Sequence, residues 1–286
     1  MRGPLSVFSK GPFPGAQVKD MERGRFLYSS LSALQRPEKG KRTMDFISIQ
    51  STYRFAEWTN ADKTHRMIQS KEEEVDAPKT VCVYMTLARA LTALKNHWLH
   101  VSRISSMNDP LECSFGITMD IPDKETRKED LKQQYNDRFG FLCFSERKDS
   151  HCLWGQYGDR HRGVVLGFSM DNLQKVEYGQ NRVCFQKSVT EETASRIVQS
   201  SVFVKPADWE HEKEWRRFVL KEETVEHDNE WYFPIHPVQL KEVICGLVVS
   251  PYDVHRVNVI LSNCGYVGIQ TQKMTVSETD YMLHPI

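Results

Sequence analysis

The segment DWEHEKEWRRFV, residues 208–219, sets carboxylates at 210, 212 and 214 two residues apart and follows them with Arg216. Extended, it carries Glu210, Glu212, Glu214 and Arg216 on one face and His211, Lys213, Trp215 and Arg217 on the other, because side chains alternate along a strand. Like charges so close repel, and a partly buried member of the set holds its proton more tightly. Such a group suits a general base, or a carboxylate that steadies a cationic transition state. The same pattern also suits a solvated face with Glu212 or Glu214 paired to Arg216. Trp209 and Trp215 need apolar cover and argue against full exposure.

A second stretch, HCLWGQYGDRHRGVVLGFSM (151–170), packs aromatics, histidines and arginines between glycines. In a helix Trp154, Tyr157 and His161 share one face, and the two aromatics read as anchors to the core. His161, between Arg160 and Arg162 at a helix-to-strand junction, is placed to meet an anion such as a phosphate. In SMNDPLE (106–112), Asn108 and Asp109 brace a loop whose turn Pro110 sets. Glu112 lies just beyond and is free to face a site. These readings place His161 and its arginines on a cleft shared with Glu212 and Glu214.

The elements that must position these groups follow from periodicity. VCVYM (81–85) reads as a strand, 86–98 as a helix with Thr86 as its N-cap, and LHVSRI (99–104) as a second strand, giving β-α-β. Residues 121–139 form a charged helix with Leu131, Tyr135 and Phe139 along one edge. Strands are expected at 141–145, 163–168, 216–220 and 242–249. A short helix lies within 59–70, and Ser188 and Glu191 make a capping box for a helix to about residue 200. DVHRVNVILSNCG ends a further helix at Gly265, before a final strand pair around YVGIQ (266–270). Strands and helices intermix without strict alternation, so the class is α+β, one mixed-sheet domain with flanking helices. Residues 1–79 read as an N-terminal extension with an acidic linker, and 80–286 as the domain.

Bulk properties narrow the function. Lys and Arg total 38 and so do Asp and Glu, so no global field draws in nucleic acid or an anionic membrane. No apolar run approaches the roughly 18 residues of a membrane span. The N-terminal prolines and glycines interrupt any signal-peptide core, so a cytoplasmic location is expected; nine basic against three acidic residues in 1–43 keep an organellar leader open, with Met44 as an alternative start. Seven cysteines without a CxxC pair fit free thiols in a reducing compartment, and Cys143, His151 and Cys152 lack the spacing of a structural zinc site. No resident metal is expected. P-loop, GxGxxG, HExxH and GxSxG motifs are absent from the sequence.

MNDPLE (107–112), FLCFSERKDSHCLWGQYGDRHRGVVLGF (141–168), DWEHEKEWRRFV (208–219) and LKEVICG (240–246), taken in order, closely resemble a bacterial family of uncharacterised domains, domain of unknown function twenty-nine seventy-one. Its members resemble F-N-D-P-x-E, then C-x-S with W-x-x-Y-x-x-x-x-x-G, then W-x-x-E-x-E-W-R. Met107 replaces the usual Phe and Gln156 a common His. The resemblance spans about 80–286 and carries no activity with it.

The layout, an aromatic first strand, a helix, a second strand ending in Ser102-Arg103 and a late Glu-x-Glu, resembles ADP-ribosyltransferase domains. That resemblance implies NAD as substrate, with Glu214 or Glu212 stabilising the ribosyl cation. Tyr84, Ser102 and Arg103 would hold the dinucleotide, and His161 or Arg162 its phosphates. A defence or toxin effector role comes from the same analogy. Two other readings stand beside it. One is a non-catalytic module that binds a nucleotide or a protein partner. The other is a metal-dependent nuclease built on Glu112, Glu212 and Glu214, against which the lack of a basic stripe counts.

Overall fold

A computed structural model of the chain describes residues 77–117, 123–185 and 200–286. The expected N-terminal extension up to residue 76, the helix within 59–70 and the Ser188/Glu191 capping box lie outside these residues.

The elements run β1 (Val81–Met85), α1 (Leu87–Asn96), β2 (Trp98–His100), β3 (Gly116–Ile117), α2 (Lys124–Asn136), β4 (Phe139–Ser145) and α3 (His151–Gln156). They continue through β5 (Val164–Phe168), β6 (Leu173–Lys175), β7 (Glu177–Gly179), β8 (Cys184–Phe185), β9 (Val204–Pro206) and β10 (Glu214–Leu220). Last come β11 (Val225–His227), β12 (Glu230–Pro234), β13 (Leu240–Cys245), α4 (Pro251–Asn263), β14 (Thr271–Val276) and β15 (Leu283–Pro285). The fold is α+β. An eight-stranded sheet has the order β15-β14-β13-β5-β1-β4-β10-β6, accompanied by small sheets β11-β12-β2, β3-β8 and β7-β9. Among its described strands only β13 and β14 pair in parallel, so the large sheet is mixed.

Strand β5 lies mid-sheet and is buried along its whole length, as its unbroken VVLGF run demands. Val164, Leu166 and Phe168 join Val81, Leu94 and Val243 in the main core, while Val165 faces Trp154 and Ile244 on the opposite side. A further cluster, Phe115, Tyr135, Phe139, Phe141 and Phe203, packs where α2 meets the sheet. Among the described residues no helix is long and apolar enough to cross a membrane.

Several expected elements shift. Helix α1 is capped as expected: the Thr86 side chain accepts from the Arg89 amide at 3.3 Å. The β-α-β reading does not give one sheet, because β1 pairs with β4 and β5 whereas β2 pairs with β12. His97, at φ 54°, turns the chain out of α1 in the left-handed region and redirects it. The second strand ends at His100; Ser102 makes a single bridge to Phe141, and 104–106 is a 3-10 turn. Phe139 opens β4 instead of closing α2, although it still meets Tyr135 at 5.2 Å. Residues 266–270 form the turn before the last strand pair, and β14 begins at Thr271.

Gly246 shows how tightly the 158–163 turn is seated. A Cβ there would lie 2.3 Å from the His161 carbonyl oxygen and 3.0 Å from the Trp154 ring. The same carbonyl accepts from the Val248 amide at 3.0 Å, so the backbone cannot retreat without losing that bond. Gly246→Ala is therefore expected to destabilise the fold by about 1–3 kcal/mol, read as a lower urea midpoint at unchanged m.

Candidate functional site

Beside β1, α1 and the inner half of β4 lies a cleft of about 710 Å³, within the usual range for small-molecule sites. Val83, Met85, Leu99, Leu142 and Phe144 give it an apolar lining. One part of its wall is aromatic, with Trp98, His100 and Tyr232 beside Glu230. Another part is ionic, with Glu112, Lys205, Glu212 and Glu214 beside Asn108 and Tyr157.

The ionic part is a closed network. Lys205 Nζ lies 2.5 Å from Glu212 Oε2, 3.1 Å from Glu214 Oε2 and 3.5 Å from Glu112 Oε1. Behind it Arg216, wholly buried, donates through Nε to Glu214 Oε1 at 2.7 Å and through Nη2 to Glu214 Oε2 at 2.9 Å. Nη2 also pairs with Glu112, and Nη1 donates to the Val202 carbonyl. Tyr157 donates to Glu212 Oε1 at 2.7 Å and accepts from Asn108 Nδ2 at 2.9 Å. Glu112 Oε2 is buried and has no partner among the described residues. Three carboxylates face two cations, so one negative charge is in surplus unless a proton is held.

Electrostatics indicate where that proton resides. Burial pushes Glu214 up to about 7; Lys205 pulls it back and Glu212 pushes it further up. Burial opposes the charge on Lys205, but Glu214 and Glu212 outweigh it and hold the ammonium above the ordinary lysine value. Burial lowers Arg216 to about 9, which leaves it protonated at neutral pH. Burial, then Glu212, raise Tyr157, so its hydroxyl remains a donor. Burial, then Glu214, likewise hold the Cys143 thiol well above its usual range. At neutral pH Glu214 is thus divided between acid and base.

Local folding explains how these groups meet. The expectation of one extended segment from 208 to 219 is corrected. Residues Ala207–Glu212 form a 3-10 helix, Lys213 turns at φ 46°, and β10 starts only at Glu214. Glu212 and Glu214 still converge, one from the end of a turn and the other from a strand. Glu210 points out instead and pairs with Lys213 at 2.9 Å. The turn is tied to the sheet by Ser145, whose hydroxyl donates to the Glu212 carbonyl at 2.5 Å. Asp109 braces the 106–112 loop: Oδ1 accepts from the Leu111 amide and Oδ2 from Trp209 Nε1, each at 2.8 Å. That bracing delivers Glu112 to Arg216.

Of the residues expected at the site, Glu212, Glu214, Tyr84 and Ser102 line the cleft. Tyr84 also donates to the Arg147 carbonyl at 2.9 Å and meets the edge of Trp154 at 5.2 Å. Arg103, His161 and Arg162 do not line it. Arg103 stands over Trp231 at 5.2 Å, because the second strand ends before it. Residues 159–161 adopt three successive positive φ values, 48°, 53° and 67°, and carry His161 back onto Trp154. There the two rings stack at 5.9 Å and 12°. Burial, then His151, hold His161 below its ordinary pKa. Arg160 and Arg162 are exposed. The expected roles within this stretch are exchanged: Tyr157, read as an anchor, reaches the carboxylates, and His161 caps Trp154.

Lys205 was not singled out from the sequence, nor were Trp98, His100, Glu230 and Tyr232 of the cleft wall, while Asn108 and Tyr157 were read only as a loop brace and a core anchor. Lys205 could have been noticed as a lone cation in the apolar run SVFVKP. Asn108 and Tyr157 lie within the singled-out motifs, but nothing in their spacing says that they meet Glu212. Among the described residues no group of three His, Cys, Asp or Glu is arranged to hold a metal ion. Cys143 lies against Glu214, and Cys152 is exposed.

Residues 153–217 match the model of a family described as a protein of unknown function (DUF2971), the family that the sequence motifs resemble. The match runs from Leu153, within α3, to Arg217, and so takes in Lys205, Glu212, Glu214 and Arg216. No curated protein and no solved structure matches the chain.

Proposed function

We propose that this DUF2971-bearing chain binds a nucleotide in the cleft and cleaves its N-glycosidic bond, with NAD as substrate and ADP-ribosyl transfer as the reaction. One observation supports the reading most: two cleft-lining carboxylates share Lys205, while burial holds Glu214 near neutrality. A carboxylate held near neutrality, with a second carboxylate on the same lysine, suits proton transfer and charge stabilisation in one step.

In this reading the C1′–N bond breaks and its electron pair leaves with neutral nicotinamide. The ribosyl group becomes an oxocarbenium ion, and the negative charge of Glu212 lies where that cation develops. An acceptor hydroxyl or amine, or water, attacks C1′ and passes its proton to ionised Glu214. Tyr157 and Asn108 hold the Glu212 carboxylate in place, and Tyr84 and Ser102 contribute to the dinucleotide's seat.

The test is nicotinamide release from NAD by the whole protein under chelation, with proteins and nucleic acids supplied as acceptors. Glu212→Gln and Glu214→Gln are each expected to lower the rate by about 10²–10³-fold. A folded wild type that releases none, or variants that release as much, would overturn the reading.

A non-catalytic binding module is the second reading, favoured by the engagement of most carboxylate oxygens with Lys205, Arg216 and Tyr157. Tight NAD binding without turnover would select it. A nuclease on Glu112, Glu212 and Glu214 is less well supported, since Lys205 Nζ already stands among the three where a metal would.

A further inference from the structure

The aromatic part of the cleft wall comes from strand alternation. On β2 and β12 Trp231 and Phe233 turn into the core, and Leu99 is buried between that core and the cleft. Trp98, His100, Glu230 and Tyr232 therefore turn to the opposite face, and that face lines the cleft. Trp98 and Tyr232 lie nearly parallel, with ring centroids 4.4 Å apart and planes at 25°. His227 flanks Trp98 at 5.4 Å.

Cross-strand aromatic pairs often serve only the sheet. Here the rings are half-buried and carry unspent hydrogen-bonding capacity beside them. Trp98 Nε1 is buried without an acceptor among the described residues. Among the described residues Glu230 pairs only with His100, whose Nε2 lies 3.1 Å from Oε2, and its side chain is 44% exposed. A flat π surface beside a carboxylate fits a planar heteroaromatic ring that bears an amine: the ring stacks, and the amine donates to Glu230.

We infer that the Trp98–Tyr232 wall is a base-binding subsite selective for an adenine-type ring, with Glu230 accepting the exocyclic amine and His100 holding Glu230 in place. It deepens the nucleotide reading above and rests on it. A ring with a carbonyl in place of the amine would set one acceptor against another and be rejected.

Calorimetric titration of the whole protein with AMP and with IMP tests this. AMP is expected to bind about tenfold or more tightly than IMP. Glu230→Gln, whose amide donates as well as accepts, should bring the two within about threefold. Tyr232→Leu should weaken both by about tenfold, through lost stacking. Each variant's urea midpoint confirms that it is folded. Equal affinities in the wild type, a preference unchanged in Glu230→Gln, or no AMP binding would overturn the subsite. Nicotinamide release that persists without AMP binding would sink the subsite alone. Selective AMP binding without nicotinamide release would keep the subsite and sink the NAD chemistry.

Discussion

Arg216→Met is expected to cost about 3–5 kcal/mol of stability, read as a large fall in the urea midpoint. Arg216 is wholly buried, and its guanidinium touches Glu112, Glu214 and the Val202 carbonyl. Methionine fills much of the same volume, so the loss reflects charge and hydrogen bonding more than a cavity. Without Arg216, Lys205 alone would face three buried carboxylates, and Glu112 would keep only the 3.5 Å contact. The cost should be strongly non-additive. Adding Glu112→Gln to Arg216→Met should recover about half of the loss, because the stranded charge is then removed as well. Additive losses would mean that the pair is not coupled and that the network is only a set of neighbours.

The second large effect is a pH dependence. The Glu214 carboxyl rises from an ordinary 4.5 to about 7 in the folded protein. Between those values the folded state holds a proton that the unfolded state has released. Its contribution to stability is therefore complete below about 4.5 and is lost as pH rises through about 7. Across that window the effect amounts to about 3 kcal/mol, since each pKa unit corresponds to about 1.4 kcal/mol. Glu214→Gln cannot titrate, so the wild type should lose stability relative to this variant from pH 5 to pH 8. Urea titrations at several pH values measure the difference, in which the titration of His97 and His161 cancels. A difference flat with pH would mean that Glu214 ionises at its ordinary value. Activity should follow the same group: if Glu214 accepts the acceptor's proton, turnover rises as pH approaches about 7.

Much of the architecture was legible from periodicity. The apolar runs at 81–85 and 163–168 correspond to β1 and β5: β5 is buried along its whole length and so must be apolar throughout, while the half-buried end of β1 lines the cleft. Thr86 marks the start of α1, and Gly265, at φ 77°, lies just past α4, because caps are local chemistry. Glu212 and Glu214 could be singled out as well, since crowded carboxylates flanked by tryptophans need a reason to be there.

What chain order cannot express is which cations meet those carboxylates. Lys205 and Arg216 converge on Glu112 from about a hundred residues away along the chain. Their pairing depends on sheet order and on the loop that Asp109 fastens to Trp209. The direction of His161 is likewise hidden, because three successive left-handed residues reverse the helical face that spacing implies. Glu210 leaves the cluster because residues 207–212 coil into a 3-10 helix and strand alternation begins only at Glu214. Residue types and spacing thus proposed the carboxylates and the strands, whereas the choice of partners and the face each side chain takes were settled by long-range packing. Burial then does the rest: it moves the proton affinity of Glu214 into the neutral range, and no local pattern in the chain encodes how deeply a residue will be covered.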